Sequence, residues 1–230
     1  MRPYTSVSFD ILTWSHLEEA DGRRIDLGVS KEQAAENRRA IVAAAAKLFR
    51  ERGVDGVGVA ELMKAAGFTQ GGFYNHFKSK QALVAEVIAT EMSKGAAALV
   101  RTSRAAPKTE ARLEHQINHY LSRAHRSDIE SGCPVAGFSG DTPRLSVEAQ
   151  SQFAVGLDDV ITILAGLIAE APSKPATQDR RTLREQAVSL YSQLVGALVL
   201  SRAVAGSNAA LADELLESSR RSLLTVFGKS

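Results

Sequence analysis

The chain has 230 residues, of which 44% are hydrophobic and 23% charged, the composition of a folded globular protein and not of a disordered one. Its single cysteine, Cys133, excludes an intramolecular disulfide. No uninterrupted apolar run reaches the roughly 18 residues of a membrane span. We therefore expect a cytoplasmic protein with no membrane segment.

Positive charge is concentrated in one part of the chain. Residues 31–80 hold nine Lys and Arg against five Asp and Glu, whereas residues 81–230 hold sixteen of each. Residues 1–30 hold three against five. An excess confined to fifty residues indicates a local surface for a polyanion such as DNA.

The first 28 residues do not match the pattern of the rest. A short apolar stretch at 9–14 is followed by a charged stretch at 18–24, and no signal-peptide core is present. We expect residues 1–28 to form a poorly ordered extension.

A capping box opens the first predicted helix at Ser30. The Ser30 hydroxyl can accept from the backbone N–H of Gln33, and the Gln33 side chain can reach back. Apolar residues then recur at helical spacing up to Phe49, and Gly53 is placed to end the helix.

Residues 59–77 predict a helix, a tight glycine turn and a second helix. The first helix runs from Val59 to Ala66 and stops at Gly67, and Thr69 can cap the next one through His76. This is the arrangement of a helix-turn-helix, which places its second helix in the major groove. A structural helical hairpin is the alternative. Ser79 can cap a fourth helix.

The predicted second helix has an anchoring face and an open face. Phe73 and Phe77 lie four residues apart and can hold it on the core. The open face carries Thr69, Gln70, Gly71, Tyr74 and Asn75. Gln and Asn can bond to adenine edges and Thr can touch a thymine methyl, while Tyr74, His76 and Lys80 suit phosphates.

The remaining chain keeps a helical pattern, so the fold class is all-α. Residues 109–127 are amphipathic, 128–143 are interrupted by glycine and proline, and 145–170 predict a long apolar helix. After a breaker at 172–175, helices at 179–205 and 208–227 should form an antiparallel hairpin. We divide the chain into the extension 1–28, a DNA-binding domain 29–78 and a ligand-binding and dimerisation domain 79–230.

The segments Ala-Ala-Lys-Leu-Phe-Arg-Glu-Arg-Gly (45–53) and Phe-Tyr-Asn-His-Phe-Lys-Ser-Lys-Gln-Ala-Leu (73–83) resemble the signature of the TetR/AcrR family of transcriptional regulators. The resemblance covers roughly residues 31–90 and implies a homodimer that binds operator DNA with its N-terminal helices. It implies DNA contacts at these positions: Thr69, Gln70, Gly71, Tyr74, Asn75, His76 and Lys80, with Asn37 and Arg38 as weaker candidates. At Gly71-Gly72 the family more commonly has Lys, Arg or Pro followed by Gly, Ala or Ser. One potential cationic contact to DNA is therefore absent, and the resemblance does not predict the operator sequence.

The resemblance also implies a ligand cavity in the helices after residue 79. The sequence offers these wall candidates: Tyr120, Cys133, Phe138, Phe153, Leu157 and Ile161. Cys133, between a glycine and a proline, is either a thiol sensor or a small apolar residue of the core. His115 and His119 have the spacing of a metal pair, but no carboxylate pattern supports a metal, and we expect neither metal nor cofactor.

One short recognition helix gives limited affinity, so a two-fold dimer is expected to bind two half-sites. The interface candidates on the last two helices are Leu190, Leu194, Ala197, Leu215 and Leu223. The predicted function is a ligand-responsive repressor with three partners: duplex operator DNA, a second copy and an unknown small-molecule effector. The alternatives are an activator, or a helical ligand- or partner-binding protein that does not read DNA. No catalytic constellation favours an enzyme.

Overall fold

The computed structural model describes residues 30–107, 111–170 and 179–228, and within these ranges it contains helices and no strands. The predicted extension 1–28 and the predicted breaker 172–175 lie outside the described residues. The N-terminal helices are α1 (Lys31–Arg52), α2 (Val59–Ala65), the 3₁₀ helix η1 (Gln70–Asn75) and α3 (Lys80–Arg104). The remaining helices are α4 (Arg112–Tyr120), α5 (Arg123–Ser127), α6 (Pro134–Phe138), the 3₁₀ helix η2 (Thr142–Arg144), α7 (Val147–Ala169), α8 (Arg180–Val204) and α9 (Ala209–Phe227).

Only one of the two hydrogen bonds of the predicted capping box forms at the start of α1. The Ser30 hydroxyl accepts from the backbone N–H of Gln33 at 3.1 Å, as predicted. The reciprocal bond was predicted wrongly, because the Gln33 amide instead donates to Asn37 Oδ1 at 2.9 Å, one turn further along the helix. Gly53 ends α1 with a φ of 74°, a conformation that favours glycine.

The second helix of the predicted pair is 3₁₀ and not α-helical. Thr69 precedes it in an extended conformation, but its side chain makes no capping bond, so the predicted hydroxyl cap is wrong. Gly71 and Gly72 explain the tighter form, since two adjacent glycines lower α-helix propensity by about 1 kcal/mol each. The turn before η1 contains Gly67 with a φ of 84°.

Two closely packed helices form the centre of the C-terminal body. α3 and α7 meet where Gly156 lies against Met92, and a Cβ on Gly156 would stand 2.4 Å from Met92 Cβ. α8 packs on α7, and α9 folds back along α8 as the predicted hairpin. The helix expected over 109–127 is instead two helices, because the chain breaks after Tyr120 and Ser122 caps α5 by accepting from His125 N at 3.1 Å.

One apolar core continues from the N-terminal helices into the body. It includes fully buried Ile41, Phe73 and Ile88 near the first helices and Leu164 and Leu190 further along. By length and composition alone, α7 and α8 would suffice to cross a membrane. Both helices pack against other helices of this core, and the core helices of a globular protein satisfy the same criterion.

Candidate functional site

The 3₁₀ helix η1 is held on the core by two stacked phenylalanines. Phe73 and Phe77 are almost fully buried, and their ring centroids lie 5.6 Å apart. Tyr74 stands edge-on to Phe73 at 5.3 Å but is 72% exposed. The exposed phenol can form both apolar contacts and a hydrogen bond, so this position is suited to an external partner.

The open face of η1 is polar and sterically clear. The four other predicted residues of this face are exposed: Thr69, Gln70, Gly71 and Asn75. A Cβ on Gly71 would meet no atom within 4 Å, so the face lies open at this point. His76 is half-buried, with its ring 6.3 Å from that of Phe68. The face therefore presents amide and hydroxyl groups with the chemistry that reads base edges.

Arg38 and Lys80 have internal partners that position η1. Arg38 forms an ion pair with Glu86, donates to the His76 carbonyl and lies 4.1 Å from the Phe77 ring centroid. Lys80 Nζ donates to the carbonyl of Val54 at 2.7 Å. Sequence reasoning offered both side chains as DNA contacts, whereas the structure gives each one a fixed role in holding the N-terminal helices together.

The cations of residues 31–80 separate into paired and exposed sets. Carboxylates bind Arg38, Lys47, Arg50 and Arg52. Arg39, Lys64 and Lys78 are exposed, and among the described residues no ion pair involves them. Sequence reasoning missed these three, because the pairing that leaves them available joins residues 9 to 83 positions apart in the chain.

A cavity of about 710 Å³ lies in the body between α3, α4, α7 and α8. Tyr120 and Cys133 line it, as the sequence predicted. The other four predicted wall residues do not: Phe138, Phe153, Leu157 and Ile161. Phe138 and Phe153 instead fill the core, and Leu157 and Ile161 pack against it. The wall is formed mainly by α3, α1, α4 and the segment 128–133, and α7 contributes little to it.

Cys133 is buried beside two tyrosines and a histidine. Its Sγ lies 3.4 Å from the Tyr191 hydroxyl, and its backbone N–H donates to His125 Nε2 at 3.2 Å. His125 Nδ1 lies 2.8 Å from the Tyr120 carbonyl, which fixes the proton on Nδ1. Burial lowers the pKa of His125 and, with Cys133 nearby, raises the pKa of Tyr120 and of Tyr191 well above 10. The thiol thus lies beside neutral side chains, with the guanidinium of Arg202 close enough to interact with it electrostatically.

The histidines of α4 and α5 do not combine into a metal site in the described part of the chain. His119 stacks on His125 with ring centroids 6.0 Å apart, and Nδ1 and Nε2 of His125 both have protein partners. Across residues 30–107, 111–170 and 179–228, no group of three His, Cys, Asp or Glu is arranged to hold a metal ion.

Arg50 joins the end of α1 to the segment that carries Cys133. Its Nη1 donates to the Gly132 carbonyl at 2.7 Å and its Nη2 to Glu91 Oε2 at 2.7 Å. A second bond follows nearby, where Asp141 Oδ2 accepts from Val54 N at 3.0 Å. Any movement of the segment from Gly132 to Asp141 therefore acts on the C-terminal end of α1.

The predicted interface residues lie inside the protomer and require correction. Leu190, Leu194, Ala197 and Leu223 are buried within the chain, and Leu215 is half-buried, because the α8–α9 hairpin packs these side chains onto the body. Other apolar residues remain exposed on the hairpin: Val188, Val199, Leu200, Leu211 and Val226. Val188 and Val199 belong to one α8 stripe, since eleven residues are close to three helical turns, whereas Leu211 and Val226 lie about 60° apart around α9, since fifteen residues exceed four turns.

Residues 41–87 match the family described as "Bacterial regulatory proteins, tetR family". An uncharacterized HTH-type transcriptional regulator of Bacillus subtilis, YdgC, is 45% identical over 58 residues, 25% of this chain and 30% of that protein. The HTH-type transcriptional regulator AcrR of Shigella flexneri is 41% identical over 58 residues, 27% of its length. The chain thus matches less than a third of the length of these two relatives.

A longer match joins the chain to the HTH-type transcriptional repressor NemR of Escherichia coli, at 25% identity over 173 residues, 74% of this chain and 85% of that protein. The crystal structure of its reduced form has a TM-score of 0.66 at 20% identity and covers 81% of this chain. A TetR-family regulator from Cytophaga hutchinsonii has a TM-score of 0.69 at 18% identity and covers 86%. These structures share the all-helical fold.

Proposed function

Since the chain belongs to the TetR/AcrR family of bacterial transcriptional regulators, we propose that it is a cytoplasmic repressor that binds operator DNA as a homodimer and is released by a small effector. The observation that carries this proposal is the open face of η1, with Tyr74 exposed over a buried phenylalanine pair. In this proposal residues 29–78 bind DNA, and residues 79–230 bind the effector and the second copy of the chain.

In the proposed complex η1 enters the major groove. Gln70 and Asn75 read base edges, Thr69 contacts a thymine methyl or phosphate, and Tyr74 and His76 bind the phosphate backbone. Gly71 allows close approach of the main chain, because no side chain stands between it and the groove. Arg39, Lys64 and Lys78 supply the salt-dependent part of the affinity through the backbone phosphates. Asn37 and Lys80 remain candidates for the rim of this surface.

The second copy binds through the exposed face of the α8–α9 hairpin. Val188 and Val199 on α8 and Leu211 and Val226 on α9 form its apolar strip, and Gly196 lies open beside it, since a Cβ there would meet no atom within 4 Å. A two-fold axis through this hairpin would pair each strip with itself. The two copies of η1 then contact half-sites about 34–36 Å apart, one turn of DNA.

The effector acts from the cavity through the segment between Gly132 and Asp141. Cys133 contacts the cavity, the adjacent Gly132 binds Arg50, and Asp141 binds the backbone of Val54. A small molecule, or a modifying reagent at Cys133, that displaces this segment would rotate α1 and with it η1. A coupling free energy of about 1–3 kcal/mol would change operator affinity by roughly 5–150-fold.

Selection of bound sequences from random DNA duplexes tests whether the protein recognises a specific DNA sequence. The wild type should enrich an inverted repeat with half-sites about one turn apart, because two symmetric copies of η1 impose that spacing. Gln70→Ala should weaken the preference at one or two base pairs of each half-site, and Val155→Ala, a change of an exposed residue on α7, should leave it unaltered. Failure of the wild type to enrich any sequence would favour a ligand- or partner-binding protein that does not read DNA.

A further inference from the structure

The cavity between α3, α4, α7 and α8 has apolar walls and a polar end. Leu99, Val160, Leu164 and Leu194 contribute side chains to the walls. Gln116, Tyr120, His125, Cys133 and Tyr191 contribute the polar lining. This composition resembles a site for a small organic molecule, in which apolar contacts supply most of the affinity and a few polar groups set orientation.

Buried polar atoms without a hydrogen-bond partner are concentrated at this cavity. Among the described residues, Arg50 Nε, Gln116 Oε1 and Gln186 Oε1 have no such partner, and Tyr120 OH has only the Cys133 thiol and the Tyr191 hydroxyl close to it. Arg50, Gln116 and Tyr120 line the cavity, and Gln186 does not. Gln116 and Tyr120 lie four residues apart on one face of α4, so their polar ends face the cavity together. Leaving such groups unpaired costs stability, which a bound partner with matching groups recovers.

Arg50, a buried cation of the cavity lining, has a carboxylate partner, and Lys94, which shares that carboxylate, is 60% exposed. Arg50 and Lys94 both pair with Glu91, and Lys47 pairs with Glu130. Arg101 also borders the cavity but is exposed to solvent, where its charge is screened. An anionic ligand would therefore lose its hydration without gaining a free buried cation.

Burial keeps the polar lining uncharged at neutral pH. It raises the pKa of Tyr120 and Tyr191 well above 10, so both phenols keep their protons, and it lowers the pKa of His125 below 6.5. The hydroxyl of Tyr120 can donate, and the amide of Gln116 can both donate and accept. The lining therefore matches a neutral group that has a donor and an acceptor side by side.

We infer that this cavity selects an uncharged organic effector with an apolar body and one polar end of the carboxamide type, and that Gln116 and Tyr120 are the selecting residues. This inference rests on the proposed function, since it names the class of effector that the repressor senses. Gln116 pairs with the donor and acceptor of that end, and Tyr120 donates to its carbonyl oxygen. The apolar body lies between Leu99 and Leu164.

A matched pair of probes tests the inference on the full-length protein without DNA. 2-Naphthamide and 2-naphthoate have the same shape, but only the second carries a charge. We expect titration followed by calorimetry or probe fluorescence to give saturable binding of the amide, at least about tenfold tighter than the carboxylate, because burial of an unpaired charge is costly. Equal affinities, or no saturation by the amide up to its solubility, would overturn the inference.

Three variants assign the selection to residues. Tyr120→Phe and Gln116→Leu should each weaken amide binding by about threefold to tenfold, the effect of one lost neutral hydrogen bond. Gln186→Leu removes a similar unpaired amide outside the cavity and should leave binding unchanged. Each variant removes an unsatisfied polar atom, so folding should be retained. Unchanged binding in both cavity variants, or an equal loss in Gln186→Leu, would contradict the assignment.

Operator binding is measured separately on the same preparations. If DNA binds but 2-naphthamide does not, the effector class is wrong and the regulator stands. If 2-naphthamide binds selectively but no DNA does, the cavity chemistry stands and the proposed regulator fails. The two claims are thus tested independently.

Discussion

The buried ion pair between Arg50 and Glu91 offers a test of how the N-terminal helices are joined to the body. Their side chains are 2% and 9% exposed, and the two atoms of the pair lie 2.7 Å apart. Arg50→Met leaves Glu91 with one partner, Lys94, whose side chain is 60% exposed, and leaves the Gly132 carbonyl without its donor. Breaking a buried pair in this way costs about 3–5 kcal/mol. We expect a value near 3 kcal/mol, since Lys94 still compensates part of the charge.

The double variant Arg50→Met/Glu91→Leu should recover most of that loss. With both charges replaced by apolar side chains of similar size, no buried carboxylate remains unpaired, and such replacements are often neutral or stabilising. The expected free energy of unfolding is within about 1 kcal/mol of the wild type.

Urea denaturation followed by far-UV circular dichroism measures all three free energies. The comparison requires equal m-values, so that a change of midpoint reports stability alone. A single variant that costs less than about 1 kcal/mol, or a double variant as unstable as the single one, would refute the reasoning. In the stable double variant the bond to Gly132 is also lost, so DNA binding should persist while its response to 2-naphthamide falls.

Three further results follow from the contacts. Gly156→Ala should destabilise the fold by about 1–3 kcal/mol, because the added methyl group overpacks against Met92. Gly166→Ala on the same helix, where a Cβ meets no atom within 4 Å, should instead stabilise the fold by up to about 1 kcal/mol. Thermal unfolding compares the two variants, and equal effects would contradict the close packing at Gly156. Because burial lowers the pKa of His125 below 6.5, the unfolded state takes up the proton first on acidification, so stability present at pH 7 should fall as the pH drops below about 6.5. His125→Gln should show a smaller dependence of stability on pH in urea titrations, and an unchanged dependence would count against this role. Val199→Asp in the apolar strip of the hairpin should convert the proposed dimer to a monomer in sedimentation experiments, whereas Val155→Asp on α7 should not.

The helix-turn-helix was predictable because its signals are local. The Ser30 cap, the glycine turn at Gly67 and the Phe73–Phe77 spacing each act over a few residues, and the structure confirms them. The 3₁₀ form of η1 was not anticipated from the sequence, although two adjacent glycines, Gly71 and Gly72, lower helix propensity. The prediction of an α-helix at residues 69–76 gave the helix-turn-helix pattern more weight than the low helix propensity of the two glycines.

The cavity and the exposed hairpin face depend on packing between distant segments, which periodicity does not report. Phe138 and Leu190 have the composition of cavity or interface residues, yet the way α3, α7 and α8 meet buries both in the core. The hydrogen bond from Arg50 to Gly132 joins residues 82 positions apart, so no local sequence pattern predicts it. Tyr120 was found from the amphipathic pattern of residues 109–127, and Cys133 from its position between a glycine and a proline.

The central claim is that η1 reads DNA, and one binding experiment tests it most directly. Duplex DNA from immediately upstream of the coding region is titrated with wild type and Tyr74→Ala across a salt series, followed by fluorescence anisotropy. We predict tight, sequence-selective binding by the wild type that falls steeply with salt, and its loss in Tyr74→Ala with folding unchanged, since Tyr74 is exposed. Binding that is weak, insensitive to salt and equal in the two proteins, together with no sequence enriched from random duplexes, would contradict the account.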